Sequence, residues 1–194
     1  MNVFIGDKEK KLVEQLRHGS RSAMQDFYAL YADYLTGICA RYVGNGESLK
    51  DVLQDCMVNI ITHVAEFEYR GAGSLQAWAS KIAVNQSLKF LKDQKYSEFV
   101  TLEWDVPDNE KYKEDDEDPP INDIPPNVIH RFITELPTGY RTVFNLYVFE
   151  NKSHQEIAAI LGIKKDSSAS QLHRAKSLLA KKIELYNTSK QKAR

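Results

Sequence analysis

The segment 153–182 constrains the fold of this 194-residue chain most strongly, because it predicts two helices joined by a tight turn. Ser153 and Glu156 have the S-x-x-E spacing of a capping box, which starts a helix by satisfying free backbone N–H groups. Gly162 stands where that first helix would end in a left-handed residue. A second helix, capped by Asp166 or Ser167, then follows. This arrangement predicts a helix-turn-helix unit.

The second helix of this segment has two different sides. At about 100° per residue, its apolar side chains cluster on one side, with Ser168 beside them: Leu172, Ala175, Leu179 and Ile183. The other side carries polar side chains: Ser167, Ser170, Arg174, Ser177 and Lys181, flanked by Gln171 and His173. An apolar back and a donor-rich front suit a helix that packs on a small core and enters a DNA major groove. An ordinary surface helix with a solvated polar face would show the same pattern.

The net charge of −1 conceals a strong segregation along the chain. Residues 96–126 hold eleven acidic and two basic residues, which gives −9, whereas residues 127–194 hold twelve basic and five acidic residues, which gives +7. The C-terminal segment is therefore basic enough to attract phosphate. Residues 96–126 are also interrupted by prolines and lack helical periodicity, so they predict a flexible acidic linker.

Residues 1–95 show helical periodicity and no alternating strand pattern of useful length, which predicts an N-terminal helical bundle. The first helix is predicted within residues 8–18. Three more helices are predicted to start at a capping box at Ser22–Gln25, at a capping box at Ser48–Asp51, and at a cap at Ser74. Cys39 and Cys56 fall inside these helices and are expected to be buried thiols rather than a disulfide or a metal pair.

Residues 127–187 predict a C-terminal four-helix helix-turn-helix domain, followed by a basic tail at 188–194. Its first two helices are expected at residues 128–133, where apolar residues recur, and at residues 140–150. Pro137 is expected in the first turn of the second of these. The fold class is therefore all-α, with two small helical domains joined by the linker at 96–126.

Several classes of protein are disfavoured by what the sequence lacks. No apolar run approaches the roughly 20 residues of a membrane span, and the N-terminus has no secretion-signal pattern. We expect no membrane insertion and a cytoplasmic location. The five histidines are scattered, HQEIA does not have the H-E-x-x-H spacing, and there is no phosphate-binding loop or zinc-spaced cysteine cluster. We therefore expect no enzyme, and no catalytic residue, metal or cofactor.

Motifs in both halves resemble one family, the extracytoplasmic-function sigma factors, which are promoter-recognition subunits of bacterial RNA polymerase. The family's D-x-x-Q-(D/E) helix is similar to DVLQDCMVNIITHVAEF at residues 51–67, and its W-(L/A)-x-x-I-A-x-N helix to LQAWASKIAVNQSLKFLK at residues 75–92. Its second conserved part is similar to LPTGYRTVFNLYVFENKSHQEIAAILGI at residues 136–163 and SSASQLHRAKSLL at residues 167–179. The resemblance covers nearly all of the chain except the linker.

The resemblance implies three binding surfaces. Core RNA polymerase would be bound by the acidic helix, through Asp51, Gln54 and Asp55. The promoter −10 element would be bound by the loop and helix that follow, through Arg70, Ser74, Lys81, Asn85, Lys89 and Lys92. The −35 element would be bound by the last helix, through Ser167, Ser170, Gln171, His173, Arg174, Lys176 and Lys181.

Some of these residues have more specific expected roles. Arg174 and Gln171 are the candidates for base-edge contacts, and Lys164, Lys165 and Arg141 are expected to add sequence-independent attraction. Trp78 is expected to be a core residue rather than a platform for base stacking.

The resemblance also implies an anti-sigma partner, which such factors often have. The main alternative is a helix-turn-helix transcriptional regulator that acts without joining RNA polymerase. That alternative explains residues 153–182 but gives no role to the helices at 51–67 and 75–92.

Overall fold

The computed structural model describes residues 2–94 and 124–192, with side chains at 8–94 and 124–190. Within these ranges all regular secondary structure is helical, which confirms the predicted all-α class. The helices are α1 (Asn2–Arg17), α2 (Arg21–Val43), α3 (Glu47–His63), α4 (Ser74–Asp93), α5 (Pro126–Thr134), α6 (Thr138–Val148), α7 (His154–Leu161) and α8 (Lys165–Lys192). The chain divides into two compact units, Met1–Gln94 and Lys95–Arg194. No helix in the described ranges has the length and apolar character to cross a membrane.

The first unit packs α1 to α4 around a core of aliphatic and aromatic side chains. Its fully or almost fully buried members include Val13, Leu16, Phe27, Leu35, Ile38, Tyr42, Val52, Ile60, Val64, Leu75, Ala79 and Ala83. Cys39 of α2 and Cys56 of α3 lie in this core as free thiols, as the sequence predicted. Burial of this apolar surface is the main force that holds the four helices together.

Two predicted helix starts in the first unit, those of α2 and α3, are each wrong by two residues. Ser20, and not Ser22, caps α2, since its side chain accepts a hydrogen bond from the backbone N–H of Ala23 at 3.4 Å. Helix α3 follows Gly46, which has no side chain to act as a cap, so Ser48 lies within its first turn. In both places the helix begins before the candidate capping residue, which leaves that residue among the helical positions.

The starts of α4 and α8 differ from the prediction in the same way. Ser74 is the first residue of α4 and not its cap, because Gly73 occupies the capping position with a φ of 85°. Helix α8 begins at Lys165, so Asp166 and Ser167 both lie in its first turn. There the Asp166 carboxylate is placed favourably for the positive end of the helix dipole.

The second unit packs α5 to α8 around its own apolar cluster. Its buried members are Ile124, Phe132, Ile133, Leu136, Tyr140, Ala175, Leu179 and Ile183. Ile124 and Pro126 belong to the predicted linker at 96–126, yet Ile124 is buried in this core and Pro126 begins α5. The rest of the linker lies outside the described residues, apart from Pro125. Likewise α8 continues to Lys192, so residues 188–192 of the predicted tail extend the last helix.

The helix-turn-helix segment has the local structure that its sequence predicts. Ser153 and Glu156 form both hydrogen bonds of a capping box at the start of α7. Gly162 ends α7 in the left-handed conformation, with a φ of 69°. The Lys182 ammonium group lies 2.6 Å from the Glu135 carboxylate and ties α8 to the end of α5. This ion pair lowers the pKa of Glu135.

Arg141 of α6 does not lie on the surface, where a contribution to DNA attraction would place it. Its side chain is only 7% exposed, and its guanidinium donates to the carbonyl oxygens of Thr134 at 2.7 Å and Leu136 at 3.2 Å. The prediction of a phosphate-attracting cation is wrong because this charge satisfies backbone carbonyls in the turn between α5 and α6. Pro137 precedes the first residue of α6, one position earlier than expected.

Candidate DNA and polymerase interfaces

The polar face of α3 is exposed in the first unit. Asp51, Gln54 and Asp55 are all exposed, and the opposite side of the helix is buried through Val52, Cys56 and Ile60. Val58 lies among the acidic residues on the outer face and is 60% exposed. An exposed valine between carboxylates gives this face an apolar centre with an acidic rim, which is the usual composition of a protein-binding surface. The sequence pattern missed Val58 because an isolated valine in an amphipathic helix is normally assigned to the core.

Four candidate −10 residues form one strip along α4. Lys81, Asn85, Lys89 and Lys92 are all exposed, and at about 100° per residue they fall within about 80° around the helix axis. The core side chains Leu75, Ala79 and Ala83 point elsewhere and are fully buried. The strip therefore presents three ammonium groups and one amide along a single line, which suits a nucleic-acid backbone with an accessible base edge.

Trp78 shares this strip and is only in part the core residue that the sequence predicts. Its indole packs against the buried ring of Phe67, with ring centroids 4.9 Å apart and planes at 34°. The residue is nevertheless half-buried, so part of its ring stays accessible one turn before Lys81.

The other two −10 candidates are Arg70, in the loop between α3 and α4, and Ser74, the first residue of α4. Arg70 is exposed, and its guanidinium lies 3.2 Å from the Glu68 carboxylate in an exposed ion pair. The Arg70 backbone N–H donates to the hydroxyl of Ser74 at 3.2 Å. This hydrogen bond joins the loop to the start of α4. Gly71 and Gly73 have φ angles of 120° and 85°, which other residues rarely adopt.

Two residues of α1 also hold this loop, and sequence reasoning missed both. The Glu9 carboxylate accepts hydrogen bonds from the backbone N–H groups of Gly73 and Leu75. The Arg17 guanidinium donates to the backbone carbonyls of Val64 and Phe67. These partners are 47 to 66 residues away in the chain, so no local spacing rule could find them.

The two helices of the helix-turn-helix are joined by a polar contact as well as by apolar packing. His154, the first residue of α7, places its Nδ1 3.0 Å from the hydroxyl of buried Ser168 in α8. The His154 ring also stacks on Tyr147 of α6, with centroids 5.0 Å apart and planes at 24°. His154 therefore links three helices of the second unit.

Most of the −35 candidates lie on the outer face of α8, and their side chains differ in exposure. Ser170 and Lys181 are exposed, whereas Ser167, His173 and Arg174 are half-buried. Lys176 is also exposed, but at about 100° per residue it lies about 160° from Arg174 around the helix axis, beside the apolar back. The Arg174 guanidinium donates to the hydroxyl of Tyr140, whose ring is fully buried, at 3.4 Å. Because Tyr140 belongs to the core, this hydrogen bond restricts the conformations of the Arg174 side chain more than solvent contact alone would.

Gln171 is not on the outer face, and that part of the prediction is wrong. Its side chain is 8% exposed, and its Oε1 has no hydrogen-bond partner among the described residues. Gln171 precedes the fully buried Ala175 by one helical turn, which places it on the packed side of α8. The amide therefore lies away from a groove that would receive Ser170 and Lys181.

Family models match both units of the chain. The model for Sigma-70 region 2 matches residues 27–96, and the model for Sigma-70 region 4 matches residues 127–179. The chain belongs to the extracytoplasmic-function sigma factors. It is therefore a sigma factor that directs promoter recognition with RNA polymerase, and its family comprises transcription initiation factors. The region 2 match accounts for α3 and α4, which a regulator acting without the polymerase would leave without a role.

Similar sigma factors span almost the same length. The chain is 26% identical to the ECF RNA polymerase sigma factor SigW of Bacillus subtilis, over 90% of this chain and 96% of that protein. It is 22% identical to the RNA polymerase sigma-H factor of Pseudomonas aeruginosa, over 94% of this chain and 97% of that protein. It also resembles a solved structure of CnrH in complex with the cytosolic domain of CnrY, with 19% identity, a TM-score of 0.44, and coverage of 90% of this chain and 96% of that one.

Proposed function

We propose that this sigma factor uses three separate surfaces, one for core RNA polymerase and two for promoter DNA. The observation that carries the proposal is the strip of Lys81, Asn85, Lys89 and Lys92, which are all exposed along one side of α4 in the unit that matches region 2. Three cations on one line can follow phosphates, and an amide between them can read a base edge.

The polymerase surface consists of Asp51, Gln54, Asp55 and Val58 on the outer face of α3. Carboxylates would guide docking on a basic partner surface and fix its register, while the exposed valine supplies apolar contact area.

The −10 surface consists of the α4 strip, Arg70 of the preceding loop, and Ser74, the first residue of α4. Opening a promoter requires an unstacked base to be held and a single strand to be neutralised. Arg70 and the lysines supply charge, and Asn85 and Ser74 supply hydrogen-bonding groups beside them.

The −35 surface consists of the outer face of α8. Arg174 is the proposed base-edge contact, because it is half-buried on the outer face of α8 and a guanidinium can pair with a guanine edge through two hydrogen bonds. Ser167, Ser170 and His173 are proposed to contact bases or phosphates, and Lys176 and Lys181 to contact phosphates. Gln171 is left out of this surface because it is buried.

We further infer that the protein has no catalytic activity of its own and acts in the cytoplasm, where the polymerase is found. The domain boundaries at 95, 126 and 187 and the anti-sigma partner stay predictions.

The assignment is tested by run-off transcription with core polymerase on promoter libraries randomised at one element at a time. Asp51→Asn with Asp55→Asn should weaken binding to core polymerase, and the exposed Asp33→Asn on α2 is the matched control. Arg174→Ala should weaken binding to the preferred −35 sequence by about 1–3 kcal/mol, and Lys81→Ala should weaken binding of the −10 strand.

Two outcomes would contradict the assignment. If Arg174→Ala lost the same affinity on every DNA sequence, Arg174 would be a phosphate contact only. If the double asparagine variant bound core polymerase like the Asp33→Asn control, the polymerase surface would lie elsewhere.

A further inference from the structure

We propose that α1 positions the −10 surface: Glu9 and Arg17 hold the two ends of the loop between α3 and α4 and thereby set its selectivity for the −10 sequence. This inference rests on the proposed function, because it assumes that the loop and α4 contact the −10 element. It assigns a role to a helix that lies outside the region 2 match, which begins at residue 27.

Glu9 supplies the cap that α4 lacks in its own sequence. Gly73 has no side chain at the capping position, so the first N–H groups of α4 need acceptors from elsewhere. Glu9 accepts from the Gly73 N–H at 2.6 Å through one carboxylate oxygen and from the Leu75 N–H at 2.7 Å through the other. Such charge-assisted hydrogen bonds at a helix N-terminus are stronger than those between neutral groups.

The Glu9 carboxylate lies inside the unit and not on its surface. The residue is only 7% exposed, so its hydrogen bonds are protected from competing water. Burial, with a contribution from the Glu9 carboxylate, also raises the pKa of Tyr31 in α2. The Glu9 carboxylate therefore lies where α1, α2 and α4 meet.

Arg17 holds the other end of the same loop. Its guanidinium donates to the carbonyl oxygens of Val64, at 3.5 Å, and Phe67, which end α3 and enter the loop. Glu9 and Arg17 are eight residues apart on one helix, a rise of about 12 Å. Val13 and Leu16, which lie between them in sequence, are buried, so a packed helix links the two anchors.

The anchored loop between α3 and α4 has no regular secondary structure of its own. Arg70 at its centre is exposed, and Gly71 and Gly73 adopt left-handed φ angles that allow alternative paths. Fixing both ends limits the positions that Arg70 and Ser74 can take before DNA arrives. Such preorganisation improves discrimination because a wrong sequence cannot be accommodated by moving the loop.

The test uses the full-length chain with core polymerase and a promoter library randomised at the −10 element with a fixed −35 element. Glu9→Gln replaces one acceptor oxygen by an amide that cannot accept the N–H, and Arg17→Gln removes the guanidinium. The exposed residues Glu14 of α1 and Arg21 of α2 provide matched controls, as Glu14→Gln and Arg21→Gln.

We expect Glu9→Gln and Arg17→Gln to lower the preference for the best −10 sequence over the library average by about tenfold, since each removes charge-assisted hydrogen bonds. The −35 preference and the affinity for core polymerase should stay within about twofold of the wild type, as should every property of the controls. A purely structural role of α1 would reduce the active fraction and all transcripts equally, and would leave the −10 preference unchanged. That result would overturn the inference.

The conservative variant Arg17→Lys covers the case in which the other variants do not fold. It keeps the charge but loses the planar group that reaches two carbonyls, so the −10 preference should fall by a smaller factor in the same direction. An unchanged −10 preference in a folded Arg17→Lys protein would also overturn the inference. Failure of the wild type to transcribe from any library member would instead refute the proposed function itself.

Discussion

Replacing Arg141 by Met should destabilise the C-terminal unit. The salt dependence with which the chain binds DNA should stay unchanged. The guanidinium is buried and donates to the carbonyls of Thr134, the last residue of α5, and of Leu136, in the turn before α6. Methionine has a similar length and keeps the apolar contacts of the stem, but it leaves both carbonyls without this donor.

The expected magnitude follows from these two contacts. A hydrogen bond that involves a charged group contributes about 1.5–3 kcal/mol to stability. The contact of Arg141 with Leu136, at 3.2 Å, is longer than that with Thr134, at 2.7 Å, and should count at the lower end. A loss of about 3 kcal/mol in the free energy of unfolding is therefore expected, which corresponds to about a 10²-fold change in the opening equilibrium.

Hydrogen exchange followed by mass spectrometry on the full-length chain can measure this loss in one unit at a time. The most protected amides of α6 should exchange about 10²-fold faster in Arg141→Met, while those of α4 should be unchanged. Lys176→Met is the matched control, because Lys176 is exposed on α8. This control should leave exchange unaltered and should lower the salt dependence of DNA binding by about one ion. If Arg141→Met instead kept wild-type exchange and lost salt dependence, Arg141 would be a phosphate contact after all.

Three further predictions concern acid stability, thiol reactivity and one turn. Hydrogen bonds from the N-cap serine lower the pKa of Glu156 to about 2 from an ordinary 4.5. The contribution of Glu156 to folding stability is therefore complete above pH 4.5 and is lost as the pH falls toward 2. Thermal melts of Glu156→Gln should show a flatter dependence of melting temperature on pH than the wild type, and parallel curves would contradict this. The hydrogen bond with Cys39, together with burial, raises the pKa of Cys56. The folded chain should therefore react with a thiol reagent far more slowly than the chain unfolded in urea. Equal reaction rates would refute the burial of Cys39 and Cys56. Gly162→Ala places a side chain on a residue with a φ of 69° and should lower the free energy of unfolding by about 1–2 kcal/mol. Gly37→Ala, inside α2, places its side chain in open space and should leave the stability unchanged or raise it slightly. Equal melting temperatures for the two variants would contradict the assigned turn.

The parts of the fold that depend on local chemistry could be predicted from the sequence. The capping box at Ser153 and Glu156 and the left-handed Gly162 are set by residues within one turn of each other. The apolar back of α8 follows from periodicity alone, because Leu172 and Ala175 repeat at helical spacing and are buried. Helix starts were less predictable, because two candidate capping residues can lie within two positions of each other.

The parts that depend on distant packing could not be predicted. Arg141 and Gln171 look like surface residues in a list of helical positions, and only the neighbouring helices decide that both are buried. Glu9 and Arg17 carry no local motif, since their partners lie 47 to 66 residues further along the chain. Val58 is the opposite case, because an apolar residue expected inside is 60% exposed beside carboxylates.

Sequencing the promoters that the wild-type chain selects tests the central claim most directly. Core polymerase should be incubated with a fully randomised promoter library, with and without the chain, and the templates of the transcripts should be sequenced. The account predicts that transcripts depend on the chain and that their templates share two separate sequence elements, one for each helical unit. Transcription that did not depend on the chain, or templates that shared only one element, would contradict it.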